Sequence, residues 1–244
     1  MDKIATFELP KWIRDQKGHA SLILSGSATP ALSIRDLIEL SSDRDKTTLN
    51  LSVESLSLSL GSGNGSEPLR KAIAALYNEA ITEDHVLTTN GATGANSLVF
   101  QSLLKPGDHV ISLYPTYTQL LSMPEAITGV EVSLWKLSLD DQAAASIQSL
   151  EDMIRPTTRM IVFNNPNNPT GTIMDADLHR KIVALARSRG IFVLVDEIFR
   201  PLFHNPKDGV PPSVVELSEE YTNVIVTGSL SKAGVYRASE SVGL

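Results

Sequence analysis

From Ser66 onward the chain alternates short apolar runs with amphipathic stretches. His109 to Leu113, Val130 to Leu134, Met160 to Phe163, Ile191 to Val195 and Val224 to Thr227 read as strands, and Val86 to Thr89 reads as one more. Helical spacing predicts helices from Thr93 to Leu104, Thr116 to Met123, Ile147 to Ile154 and Asp175 to Arg189, the last closed by Gly190. Ser66 and Glu67 before Pro68 signal another helix start, after which Leu69, Ile73, Leu76 and Tyr77 recur at helical spacing. The runs MIVF, IFVLV and VIVT hardly alternate, so both of their faces should be covered, as in a parallel sheet between helix layers. The expected fold class is α/β, a three-layer α/β/α sandwich with a mostly parallel sheet.

The amino-terminal part is patterned differently. Residues 1–50 read as an irregular arm, interrupted at Pro10 and Pro30, in which only Ile34 to Leu40 shows helical spacing. The stretch LSVESLSLSLGSG at 51–63 alternates like a strand but is poor in β-branched residues. The expected organisation is an arm with part of a small domain over 1–50 and a large domain over 51–244. No repeat and no Pro, Gly or Ser-rich linker divides the chain further.

Composition narrows the function classes. The chain has 244 residues, 42% of them hydrophobic and 20% charged, which suits a globular core rather than a disordered segment. A net charge of −7 provides no basic field for nucleic acid or anionic lipid. With no cysteine there is no disulfide, thiolate zinc site or cysteine nucleophile, and no metal is expected. No apolar stretch approaches the ~18 residues of a membrane span, and the amino terminus has no signal-peptide core. A soluble, cytoplasmic protein is the expectation.

Ligands of open α/β sheets bind beyond the carboxyl ends of the strands, so the polar residues there are the candidates. Four places qualify: NGATGAN after residue 89, NNPNNPTG after Phe163, Asp196-Glu197 after IFVLV, and GSLSKAG after Thr227. Gly91, Ala92 and Thr93 could hold a phosphate at a helix amino terminus, or could form an ordinary βα turn. In NNPNNPTG two prolines restrict the backbone and leave amide side chains beside a strand end, which a plain turn rarely needs. Asp196 is either a helix cap or a buried carboxylate in need of a cation. Lys232 is either a solvated lysine or, beside a cofactor, a Schiff-base former.

In this order, YPTY, NPNNPTG, VDEIF and SLSK resemble the fold-type I pyridoxal-phosphate enzymes of aminotransferase class I/II, over roughly Leu22 to Ala233. The resemblance implies pyridoxal 5′-phosphate as cofactor. It also implies transfer of an amino group between an amino acid and a 2-oxo acid, and a homodimer in the full-length form. It makes Lys232 the Schiff-base lysine, which also moves the proton at Cα, and Asp196 the partner of the pyridinium nitrogen. Asn168 would hydrogen-bond the phenolic oxygen. Tyr117 would stack on the ring, although a core aromatic is the other reading. Gly91, Ala92, Thr93 and Ser229 would hold the phosphate.

The chain also departs from the family's pattern. Phe199 stands where a tyrosine usually donates to the phenolic oxygen, so the Schiff base should keep its proton to higher pH. Leu60 stands where a tyrosine usually precedes Gly65 by five residues. Glu240 stands where a phosphate-binding arginine is usual, with Arg237 three positions early. The expectation is therefore a carboxy-terminally truncated chain with an incomplete small domain. A cyclase or lyase of the same family, or a catalytically silent cofactor-binding protein, is the alternative.

Overall fold

The computed structural model describes residues 8–16, 18–19, 21, 26–27, 32–52, 60–138, 145–203 and 210–232. The chain forms two compact units. The larger comprises Met1–Ser27 and Ala92–Gly228, the smaller Ala28–Gly91 and Ser229–Leu244.

The larger unit holds a parallel sheet of β1 (His109–Tyr114), β2 (Glu131–Lys136), β3 (Thr158–Asn164), β4 (Phe192–Asp196) and β5 (Val224–Thr227). The order is β2-β1-β3-β4-β5, so the chain reverses direction across the sheet between β1 and β3. Helix α5 (Gly91–Leu103) leads into β1, and α6 (Gln119–Glu125), α7 (Ile147–Asp152) and α8 (Ala176–Arg189) form the crossovers that follow. A 3-10 turn at Val214–Leu217 precedes β5. Asp175 caps α8 through Leu178 N–H at 2.7 Å, and Gly190 ends it at φ +67°, a conformation that favours glycine.

The inner runs of β3 and β4 hardly alternate because each face of the sheet has its own cover. Val110, Met160, Val162 and Leu194 pack with Phe100 of α5, Leu104 just after it and Leu120 of α6. On the opposite face Ile111, Ile161, Phe163 and Val195 pack with Leu150 of α7 and with Ile182 and Ala186 of α8. Burying each of these large side chains contributes about 1.5–3 kcal/mol. Trp135, fully buried at the end of β2, keeps its polar atom satisfied by donating to Ser146 O and Ser149 Oγ, both at 3.1 Å.

The amino-terminal expectation needs correction. The described residues of 8–50 include the helices α1 (Glu8–Gln16), α2 (Ile34–Leu40) and α3 (Arg44–Asn50), of which only α2 was expected. Pro10 does not break α1, because it lies in the first turn, where backbone N–H groups have no intrahelical acceptor. Ser33 and Asp36 form a capping box on α2, and Asp43 caps α3 through Lys46 N–H at 3.0 Å. In the smaller unit Ser66 and Pro68 open α4 (Glu67–Ala74), as the sequence implied.

Val86 to Thr89 form no strand among the described residues. A strand exists through its partner, and here Thr88 N–H makes a single bond to Asn64 O at 3.0 Å. That contact explains Gly65, which has φ +97° and whose added Cβ would stand 1.9 Å from Thr88 Oγ1. Arg70 secures the same corner by donating to Gly65 O at 3.3 Å and Glu83 O at 2.5 Å. The alternating stretch at 51–63 falls largely outside the described residues. No helix among the described residues is long and apolar enough to cross a membrane.

Candidate active site

At the carboxyl edge of the sheet, Asn164, Asp196 and Thr227 lie in one row, paired strand to strand across β3, β4 and β5. Residues in register share a face, and this row faces the α5 layer. Asp196 is 2% exposed. Asn96 Nδ2 of α5 donates to its Oδ2 at 3.0 Å, and Ile198 N–H donates to its Oδ1 at 3.0 Å. Thr227 Oγ1 donates to Asn96 Oδ1 at 2.7 Å, which turns the amide so that its N–H group meets the carboxylate. Burial pushes the Asp196 carboxyl above its ordinary range, and these two uncharged donors only partly oppose the shift. A cationic N–H aimed at this carboxylate would reverse the imbalance, so the site suits a protonated ring nitrogen.

Tyr117, half-buried in the loop after β1, lies in the same neighbourhood. Burial raises its phenol's pKa first and the Asp196 charge raises it further, against a hydrogen bond with Thr93 that lowers it. Tyr117 and Thr116 precede α6 rather than opening it, since the helix begins at Gln119. Thr93, exposed in the first turn of α5, donates to Gln119 Oε1 at 2.9 Å. Ala92 beside it is buried. Gly91 begins the helix at φ +71°, a backbone conformation that favours glycine.

The NNPNNPTG segment follows β3 as a loop cross-braced by its own amides. Asn164, Asn165 and Asn167 are buried and bonded within the loop or to the loop after β1, and Asn168 is the half-buried fourth. Met174 N–H donates to Asn165 Oδ1 at 2.9 Å, while Thr170 N–H and Oγ1 both donate to Asn167 Oδ1, at 3.2 and 2.7 Å. Phe199 is half-buried in the turn after β4, and its carbonyl accepts Leu202 N–H at 2.7 Å.

The structure thus gathers Ala92, Thr93, Tyr117, Asn168, Asp196 and Phe199 in the larger unit, while Gly91, Ser229 and Lys232 belong to the smaller. Ser231 N–H donates to Ser229 Oγ at 3.1 Å, and the helical turn that starts at Leu230 carries Lys232, which is half-buried. Asn96 and Thr227, which hold Asp196, escape the sequence reading. The signal for Asn96 is a polar residue in the inward stripe Ala92, Asn96, Phe100, spaced by four on α5.

The profile of the family described as aminotransferase class I and II matches residues 50–237. The aspartate aminotransferase of Thermotoga maritima is 28% identical over 168 residues, covering 68% of this chain and 43% of that protein. Capreomycidine synthase of Streptomyces vinaceus is 29% identical over 227 residues, covering 92% of this chain and 55% of that protein. The solved structure of a PLP-dependent aminotransferase from Streptococcus suis superposes with a TM-score of 0.85 at 35% identity, covering 98% of this chain and 60% of that one. The chain spans about half the length of the curated relatives it matches.

Proposed function

Because the chain belongs to the aminotransferase class I and II family, we propose that it binds pyridoxal 5′-phosphate and serves transfer of an amino group between an amino acid and a 2-oxo acid. The observation that carries this reading is Asp196, a carboxylate 2% exposed at the carboxyl edge of the sheet and met by two uncharged donors. When bound, the pyridoxal ring supplies a sink for the electron pair released at the substrate's Cα.

The chain's own residues then divide the work. Asp196 holds a proton on the ring nitrogen, and gains in return the cation that its burial calls for. Tyr117 stacks on the ring, and Asn168 donates to its phenolic oxygen. Phe199 brings no hydroxyl to that oxygen, so its stabilisation rests more heavily on Asn168. Gly91, Ala92 and Thr93 offer backbone N–H groups and a hydroxyl to the phosphate at the start of α5, with Ser229 as a further ligand. Lys232 is the residue that would hold the cofactor through Nζ, and its amine is the base that would move the proton at Cα. The roles of Lys232 and Ser229 rest on the family's SLSK motif, and the full-length protein is expected to act as a homodimer.

Borohydride reduction of the chain with pyridoxal 5′-phosphate, followed by peptide mass mapping, tests the assignment. The pyridoxyl label should fall on Lys232 and vanish in Lys232→Ala; a label on another lysine would overturn it. The long alignment with capreomycidine synthase, a relative not named an aminotransferase, leaves room for a second reading, a cyclase or lyase of the same family, because proton removal at Cα also begins those reactions. Product analysis with amino acid alone and with added 2-oxo acid separates the two, because only amino transfer needs the acceptor.

A further inference from the structure

Two buried amides that take no part in the proposed chemistry, Asn164 and Asn167, join the two loops on which that chemistry depends. After β1 the chain turns to α6, on the face lined by Val110, Val162 and Leu120. After β3 it turns to α8, on the opposite face with Phe163 and Ile182. The β1–β3 backbone ladder ends at Ser112 and Val162, two residues short of each strand's end, so side chains must hold the loops together beyond it. Thr116 Oγ1 donates to Asn164 Oδ1 at 2.8 Å, and Asn167 Nδ2 donates to Pro115 O at 3.1 Å. Asn167 Nδ2 also reaches Asn164 Oδ1 at 3.0 Å, and Asn164 Nδ2 donates to Pro166 O at 3.2 Å.

We infer that Thr116, Asn164 and Asn167 are positioning residues that set the separation between Tyr117 and Asn168 across the point where the sheet changes direction. The next residue after Thr116 is Tyr117, and the next after Asn167 is Asn168, so each crossing bond ends one residue from a proposed ring contact. Asn164 is 1% and Asn167 5% exposed, and a buried polar group is worth most when all its partners are in place. Both positions need an amide. Asn164 accepts from Thr116 while donating to Pro166, and a carboxylate there would face the Pro166 carbonyl with no proton to offer. The purpose given to the bracket rests on the ring contacts proposed above, whereas the tie between the loops stands without them.

Thr116→Val keeps the side chain's shape and removes the crossing hydroxyl. In the cofactor-free chain it should speed amide hydrogen exchange in both 114–121 and 165–174, leaving β3 and β4 protected, and Thr116→Ser should restore the parent's rates. Asn167→Asp keeps the acceptor for Thr170 but loses both donors, and should loosen the same two loops. With pyridoxal 5′-phosphate, Thr116→Val should bind about 3- to 10-fold more weakly and change the circular dichroism of the bound chromophore. Faster exchange confined to 114–121, or Ser and Val variants that behave alike, would overturn the inference. A parent chain that takes up no pyridoxal phosphate would instead count against the proposed function, and the exchange experiment would still decide the bracket.

Discussion

Asp196 and Glu197 are adjacent carboxylates buried to nearly the same degree, 2% and 5% exposed, and their surroundings differ. Glu197 accepts from Ser213 Oγ at 2.8 Å and Val214 N–H at 3.0 Å, so it anchors the 3-10 turn before β5. Arg200 Nε lies 3.8 Å from it, while the rest of that guanidinium donates to Pro211 O and approaches Glu216 at 3.5 Å. Burial raises the pKa of both acids, but for Glu197 a guanidinium of its own chain is among the forces that oppose the rise. The pair teaches that burial alone does not mark a functional carboxylate. Glu197 spends its hydrogen bonds on folding, whereas Asp196 is held in a fixed direction by uncharged groups and can receive a cation.

The largest expected effect tests the Asp196 half of that contrast. Asp196→Asn should lower the rate of the proposed amino-transfer half-reaction by about 10²- to 10³-fold, with a much smaller change in cofactor affinity because the proposed phosphate ligands are untouched. Stopped-flow absorbance and a cofactor titration read the two effects separately, and a mutant as fast as the parent would end the proposed role. Glu197→Ala should instead act on stability, costing about 3 kcal/mol in urea unfolding by leaving Ser213 Oγ and Val214 N–H without their acceptor and removing one of the two carboxylates beside Arg200. Cofactor affinity per folded molecule should stay near the parent's; a selective loss of affinity would erase the contrast.

The smallest effect concerns His179, on the Phe163 face of the sheet, whose ring stacks on Phe163 at 5.7 Å. It is buried with neither ring nitrogen hydrogen-bonded among the described residues, and burial lowers its pKa to about 4, with Arg200 adding to the shift and Asp175 opposing it. The folded value lies below the unfolded one, so the stabilisation is whole above about pH 6.5 and is lost as pH falls toward 4. His179→Phe should remove about 2 kcal/mol of the parent's loss between pH 7 and pH 5. The parent-minus-variant difference isolates the imidazole, because the raised values of Asp196 and Glu197 act in the opposite direction in both proteins. Identical pH profiles would show that the ring is not protonated on unfolding in this range.

Local signals in the sequence determined the runs that became β1 to β5, the Asp175 cap, the Gly190 stop and the opening of α4 at Ser66. Each depends on a few neighbouring residues: an apolar run, an oxygen beside free N–H groups, or a residue at ease with positive φ. The motifs YPTY, NPNNPTG, VDEIF and SLSK were legible for the same reason, as contiguous residues. Only the tertiary structure decided that Val86 to Thr89 would find no strand partner, and that Thr88 would crowd Gly65 into being glycine. It also decided that Asn96 would turn its amide to Asp196, 100 residues away in sequence, under the direction of Thr227, 131 residues from Asn96. The Thr116–Asn164 bond spans 48 residues, and no spacing rule within one strand or helix reaches that far. Hydrogen bonds between buried side chains depend on which polar groups the packed sheet removes from water together, so their pairing emerges only once the sheet has assembled.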